Sequence, residues 1–243
     1  MSKISSAIKN KNAFIPFVTC GDPDFATTQK IIESAVENGA DMIILGIPFS
    51  DPTAEGPVIQ ESNMRALEAG VTTDKIFSFI KDLRKQVSVP FAFKTYANVI
   101  FSYDADKFIS ICSDVGVDAL IIPDLPYEEK DEFLPMCKKY GVDLISVVVP
   151  AQDERIAQIS KDADGFIYII ASNNKLPKMT AVIRENTDLP CVAAFESVTA
   201  YDAETALKSV DGIAVDSDIV RLIEKYKTES AKYVGEFVKQ FKN

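Results

Sequence analysis

The sequence predicts an α/β protein built as a single (β/α)8 TIM barrel spanning residues 1–243. Three observations lead there. Eight short β-rich runs alternate with amphipathic segments along 243 residues. Most of the runs are continuously apolar rather than alternating, as strands buried on both faces of a parallel sheet require. No low-complexity segment or linker interrupts the series, and eight βα units in this length match one barrel. A doubly wound open sheet is the alternative. It loses support because no GxGxxG or GxxxxGK follows any run.

The expected strands are Ala13–Thr19, Met42–Leu45, Phe91–Tyr96, Ala119–Ile122, Asp143–Val149, Gly165–Ile170, Cys191–Phe195 and Gly212–Val215. Between them, 3.6-residue periodicity predicts helices at Thr27–Asn38, Lys75–Gln86, Ala105–Val115, Glu128–Tyr140, Glu154–Ser160, Met179–Glu185 and Ala200–Lys208. Ser230–Phe241 closes the chain. Two additions are expected: an N-terminal helix, Ile4–Asn10, and an extra helix after the second strand, Val58–Gly70. Asn-Gly-Ala-Asp, Gly-Val-Asp and Asp-Pro mark the joins with turn residues.

Composition removes several function classes. The formal net charge of −10 argues against a nucleic-acid partner, which needs clustered Lys and Arg. No apolar run approaches the roughly 18 residues of a membrane span. The N-terminus lacks the apolar core of a signal peptide, so a cytoplasmic location is expected. Cys20, Cys112, Cys137 and Cys191 lack CxxC spacing and read as reduced thiols. The chain contains no histidine, which removes Ser-His-Asp triads and His-ligated zinc. Proton transfer falls to carboxylate, lysine, tyrosine, cysteine or water. No metal or cofactor is expected.

The segment Ile44-Leu-Gly-Ile-Pro-Phe-Ser-Asp-Pro-Thr-Ala-Glu-Gly-Pro57 carries the most information. It places Asp51 and Glu55 on a loop directly after a buried strand, where barrel enzymes keep their chemistry. Together with Phe17-Val-Thr-Cys-Gly-Asp-Pro23, Thr95-Tyr-Ala-Asn98, Leu120-Ile-Ile-Pro-Asp-Leu-Pro126 and Thr187-Asp-Leu-Pro190, it resembles the α subunit of tryptophan synthase over nearly the whole chain, in order. That resemblance implies a TIM barrel splitting indole-3-glycerol phosphate into indole and glyceraldehyde 3-phosphate, with indole passing to a pyridoxal-phosphate β subunit. It implies a proton-transferring glutamate at the end of the second strand and an assisting acid on the following loop. It also implies that backbone amides after strands six to eight hold the phosphate, helped by a helix N-terminus.

Carried over residue by residue, the pattern divides. Glu55 takes the place of the loop acid and is the one catalytic candidate. Ile44 stands where the glutamate is expected and moves no proton. Phe17, Tyr96 and Tyr168 match aromatic pocket residues for an indole-type ligand. Lys94 replaces an apolar pocket residue and shares a strand face with Tyr96. At the former phosphate site Glu196 replaces a glycine, and Asp216-Ser217-Asp218 replaces Gly-Ser-Ala. The mobile glycine loop after strand six is replaced by a shorter segment, Ala171–Lys178. Two like charges about 4 Å apart cost roughly 4 kcal/mol at an effective dielectric near 20. The acids therefore exclude phosphate unless Lys94, Lys175 or Lys178 neutralises them.

Pro48, Asp51, Pro52, Asn98 and Pro126 keep the family's β-subunit contact pattern. The resemblance thus implies an impaired lyase with an intact docking surface. Two other readings stay open. One is an active lyase using Glu55. The other is recruited ligand or cation binding through Lys94 and an acidic mouth. Each residue also has a plainer reading: Asp51 as a turn acid, Lys94 as a structural ion-pair partner, Phe17 and Tyr168 as core aromatics.

Overall fold

The computed structural model describes residues 2–9 and 11–242. Eight parallel strands close into a barrel in sequence order, each hydrogen-bonded to the next and the eighth to the first. The chain runs α1 (Lys3–Ile8), β1 (Ala13–Thr19), α2 (Phe25–Glu37), β2 (Ile43–Gly46), α3 (Pro57–Glu68), α4 (Thr73–Leu83) and β3 (Phe91–Lys94). It continues through α5 (Ala97–Tyr103), α6 (Ala105–Val115), β4 (Ala119–Ile121), α7 (Leu134–Tyr140), β5 (Asp143–Val148), α8 (Asp153–Lys161) and β6 (Asp164–Ile169). The last units are α9 (Leu176–Arg184), β7 (Cys191–Phe195), α10 (Ala200–Leu207), β8 (Gly212–Val215), α11 (Ser217–Tyr226) and α12 (Ser230–Lys239).

Strand side chains alternate between two cores. Phe14, Val18, Leu45, Phe91, Phe93, Leu120 and Ile213 face the helices in the larger core. Ile15, Phe17, Ile44, Ala92, Ile121, Ile145, Phe166, Tyr168, Val192 and Ala214 fill the barrel interior. Gly46 ends β2 because nothing larger fits: a Cβ there would lie 2.5 Å from the Phe17 ring.

The turn motifs at the barrel's N-terminal end do more than reverse the chain. Asp41, Asp118 and Asp211 each accept the N–H of Phe14, Phe91 and Cys191, respectively, at 2.8–2.9 Å. These carboxylates satisfy backbone donors at the strand entrances. Arg84 covers Asp118 and also donates to the Gly116 carbonyl, locking α4 to the β4 entrance.

Four expectations are revised. The strand expected to reach Tyr96 stops at Lys94, and Tyr96 becomes the residue that starts α5. The single helix expected over Glu128–Tyr140 is a 3-10 turn, Tyr127–Glu132, followed by α7. Pro135 explains the break: it lacks an N–H and fits only the first turn of a new helix. An unexpected helix, α11, follows β8 and buries Ile219, Val220 and Ile223. α1 is present as Lys3–Ile8, while Asn10, the expected end of that helix, lies outside the described residues. All four cysteines are free and buried.

One ion-pair network pins the β1 loop to the added helix α3. Asp22, only 1% exposed, accepts from Arg65 Nε at 3.0 Å, from Arg65 Nη2 at 2.8 Å and from the Ser62 hydroxyl. Arg65→Ala leaves a buried carboxylate without its cation. It is expected to cost about 3 kcal/mol in urea unfolding at pH 7, whereas Lys85→Ala, on the surface, is expected to cost less than ~0.5 kcal/mol.

Candidate functional site

The barrel's C-terminal mouth gathers the chemistry-bearing residues. Lys94 is the last residue of β3, and its inner-face placement sends the ammonium into the barrel opening. The loop after β2 folds back over it. That loop is tied down by the Ala54 N–H, which donates to the Tyr96 hydroxyl at 2.9 Å, and by the Phe49 ring, which lies 5.2 Å from that of Tyr96. Glu55 is thereby delivered to Lys94, with Oε1 2.7 Å from Nζ. Asp216, arriving from the end of β8, places Oδ2 3.8 Å from the same ammonium. The three side chains are 8–13% exposed. The face of the Phe17 ring lies 5.3 Å from Lys94 Nζ.

One cation therefore serves more than one acid. Burial pushes the Glu55 carboxyl above its ordinary range; Lys94 pulls it down, and Asp216 and Glu196 push it further up. Burial likewise raises Asp216, opposed by Lys94 and by the Ser217 N–H. Burial alone would lower the Lys94 ammonium, but the groups around it reverse the sign and hold it protonated. Of these, Tyr168 is uncharged at neutral pH because burial pushes its phenol far up, so Glu55 and Asp216 supply the attraction. Tyr96 is pushed up to about 12, first by burial.

The positions where a phosphate site is expected are satisfied from within. Asp216 Oδ1 accepts the Ser217 N–H at 2.6 Å, so the first amide of α11 binds the chain's own carboxylate. Asp218 Oδ2 accepts the Val198 N–H at 2.9 Å, and both of its oxygens take the Ser197 hydroxyl. Glu196 leans toward the β2 loop, where a Cβ on Gly56 would meet its Oε1 at 3.7 Å. Of the lysines considered as neutralisers, Lys94 reaches Asp216 at 3.8 Å; Lys178 pairs with Asp153 at 2.9 Å instead.

The other candidates sort by burial. Ile44 is 0% exposed inside the barrel, paired in register with Phe17 and Ala92. Phe17, Tyr96 and Tyr168 are 3–5% exposed. Among the docking residues, Asp51, Asn98 and Pro126 are exposed, while Pro48 and Pro52 are covered by the chain's own packing. No local pattern in the sequence predicts the Asp22–Arg65 network. Its one readable signal is an Arg on the added helix facing an acid of the Gly-Asp-Pro turn.

The fold and the site define a (β/α)8-barrel protein with its polar cluster at the strand C-terminal ends, the arrangement of barrel enzymes. The sequence profile described as "Tryptophan synthase alpha chain" matches residues 4–243, and this chain belongs to the tryptophan synthase α-chain family. It is similar to the tryptophan synthase α chain of Lacticaseibacillus casei, with 40% identity covering 100% of this chain and 95% of the relative. A solved chain from Aquifex aeolicus VF5 superposes with a TM-score of 0.93 at 31% identity, covering 100% of this chain and 98% of that one. A chain from the tryptophan synthase α2β2 complex of Pyrococcus furiosus superposes with a TM-score of 0.88 at 28% identity, covering 96% and 98%.

Proposed function

We propose that this chain is a tryptophan synthase α-chain homologue that no longer carries the family's lyase reaction and acts as a docking subunit for a β-type chain. The observation that carries this reading is the Lys94–Glu55–Asp216 cluster in the barrel mouth. It stands where the resemblance implies an indole pocket and a phosphate site. Ile44 supplies no acid or base beneath it. The alternative of a lyase running on Glu55 is disfavoured by the same contact, because that carboxylate is engaged by Lys94 at 2.7 Å.

The docking half of the reading rests on three exposed residues carried by loops that are bonded to one another. Asp51 lies on the β2 loop, which Ala54 ties to Tyr96. Asn98 lies at the start of α5, whose Ala97 N–H donates to Asp124 of the β4 loop at 3.0 Å. Pro126 follows on that loop. A surface held this way loses little freedom on association, which favours binding. The Pyrococcus furiosus relative is described in an α2β2 complex under mutual activation, and the partner class is taken from it. Calorimetric titration with the β subunit from the same organism is expected to give a dissociation constant of about 10 µM or tighter. Asp51→Lys is expected to weaken it roughly tenfold by charge reversal at the rim. Absence of association at about 50 µM contradicts the docking assignment.

A further inference from the structure

A cavity of about 270 Å³ opens beside β5, between the β4 loop and α8, and none of Lys94, Glu55 and Asp216 lines it. Alternation along β5 accounts for the gap. Leu144 and Val148 face the surrounding helices, while Ile145 and Val147 turn toward the barrel interior. Ser146 therefore falls on the helix side between two core residues, and its small side chain leaves that layer unfilled. Ile122, Leu125, Leu134, Leu144 and Ile159 wall the cavity. Leu125, Leu134 and Ile159 are only half-buried, so apolar surface is left facing an opening. Ser146 is also half-buried, and its hydroxyl bonds to no described residue.

The charges at the rim are engaged with one another. The Tyr127 hydroxyl donates to Asp162 Oδ2 at 2.6 Å, and Lys130 Nζ donates to the same oxygen at 3.0 Å. Arg155 holds Glu128 through both of its terminal nitrogens. These contacts tie the 3-10 turn Tyr127–Glu132 across to α8 and the residue that caps it. They leave no uncompensated charge for an ionic ligand, and the chain's net charge of −10 repels anions further.

We propose that this cavity binds small uncharged phenols of one or two rings, with the ring against the apolar walls and the phenol hydroxyl on Ser146. Size sets the upper limit: an apolar cavity of roughly 150 Å³ holds one benzene ring, so this one has room for two fused rings. Burial of the ring supplies the attraction. A rigid ring loses less freedom on binding than a flexible chain of the same size. Ser146 fixes the orientation, because a serine hydroxyl and a phenol can each donate and accept. The site stands apart from the barrel mouth, so it holds whether or not the docking reading does.

The test is calorimetric titration of the full chain with 2-naphthol at pH 7, together with a crystal soaked in 6-bromo-2-naphthol. A dissociation constant of about 100 µM is expected, with the bromine located between the β4 loop and α8. The anionic 2-naphthoate and the flexible 1-octanol are each expected to bind about tenfold more weakly or worse. Ser146→Ala is expected to weaken 2-naphthol roughly fivefold to tenfold through the lost hydrogen bond. Ser146→Phe fills the cavity and is expected to abolish binding. If that variant fails to fold, Ala151→Trp, at an exposed position on the rim, decides the matter by narrowing the entrance and weakening binding about tenfold. No heat up to about 1 mM, equal binding of 2-naphthoate or 1-octanol, bromine in the barrel mouth, or unchanged affinity in Ala151→Trp overturns the proposal.

Discussion

Lys94→Met is expected to lower the unfolding free energy by about 3–5 kcal/mol at pH 7, the scale for removing one partner of a buried ion pair. The reason lies in what remains. Glu55 and Asp216 stay 8% and 13% exposed, with their shared cation gone. Their carboxyls, already raised mainly by burial, lose the Lys94 attraction that opposes the rise. The pH dependence follows from linkage. A carboxyl whose folded pKa lies above its unfolded value, about 4 for Asp or Glu, binds more protons folded than unfolded. The variant's stability therefore increases as pH falls from 7 toward 5, and its deficit against wild type shrinks. Lys94 itself has a raised folded pKa. Its contribution is complete below the unfolded value of about 10.4 and is lost only as pH rises through the folded one. Lys94→Met/Glu55→Gln is expected to recover part of the loss by removing one uncompensated charge. Urea unfolding at pH 5 and 7 checks all three statements. A Lys94→Met cost under about 1 kcal/mol, the same at both pH values, contradicts the cluster as drawn.

The second large effect is catalytic. With indole-3-glycerol phosphate, the chain alone or with a β subunit is expected to release indole at least about 10⁴-fold more slowly than an ordinary family member. One lost acid/base group removes about 10²- to 10⁴-fold; on the proposed reading Ile44 stands where that group is expected, while Glu55 is engaged by Lys94 and Asp216 takes the Ser217 amide. Ile44→Glu is expected not to restore turnover. It places a carboxylate at a 0% exposed position among Phe17 and Ala92, so the variant should also melt lower. Indole measured by its reaction with an aldehyde dye, alongside a melting curve, checks both outcomes. Turnover within about tenfold of an ordinary member means the site is misassigned.

How much of this is legible in the sequence differs by element. Ala13–Thr19, Cys191–Phe195 and Gly212–Val215 agree residue for residue, because continuous apolar runs flanked by turn residues leave few alternatives. β3 is shorter than its pattern because Tyr96 lends its hydroxyl to the β2 loop and its backbone to the start of α5, a tertiary demand that no local period reports. α11 escapes because Asp216-Ser217-Asp218 reads as a failed phosphate loop. In the fold it is a helix start whose amide the first of those acids satisfies. Alternation along β3 places Lys94 on the inner face, as found. That Glu55 meets it depends on the path of a proline-rich loop, which residue types alone do not determine. The acids at 196, 216 and 218 are visible as departures from a glycine pattern. That Asp216 and Asp218 hydrogen-bond nearby amides emerges only from the distances.

The central claim is that the chain's own carboxylates occupy the site where the family's phosphate is expected. Direct calorimetric titration with indole-3-glycerol phosphate tests it without requiring turnover. The account predicts no heat of binding up to about 1 mM, and measurable binding only after Glu196→Gly/Asp216→Gly frees the Ser217 amide and removes two charges. Wild-type binding tighter than about 100 µM would contradict it.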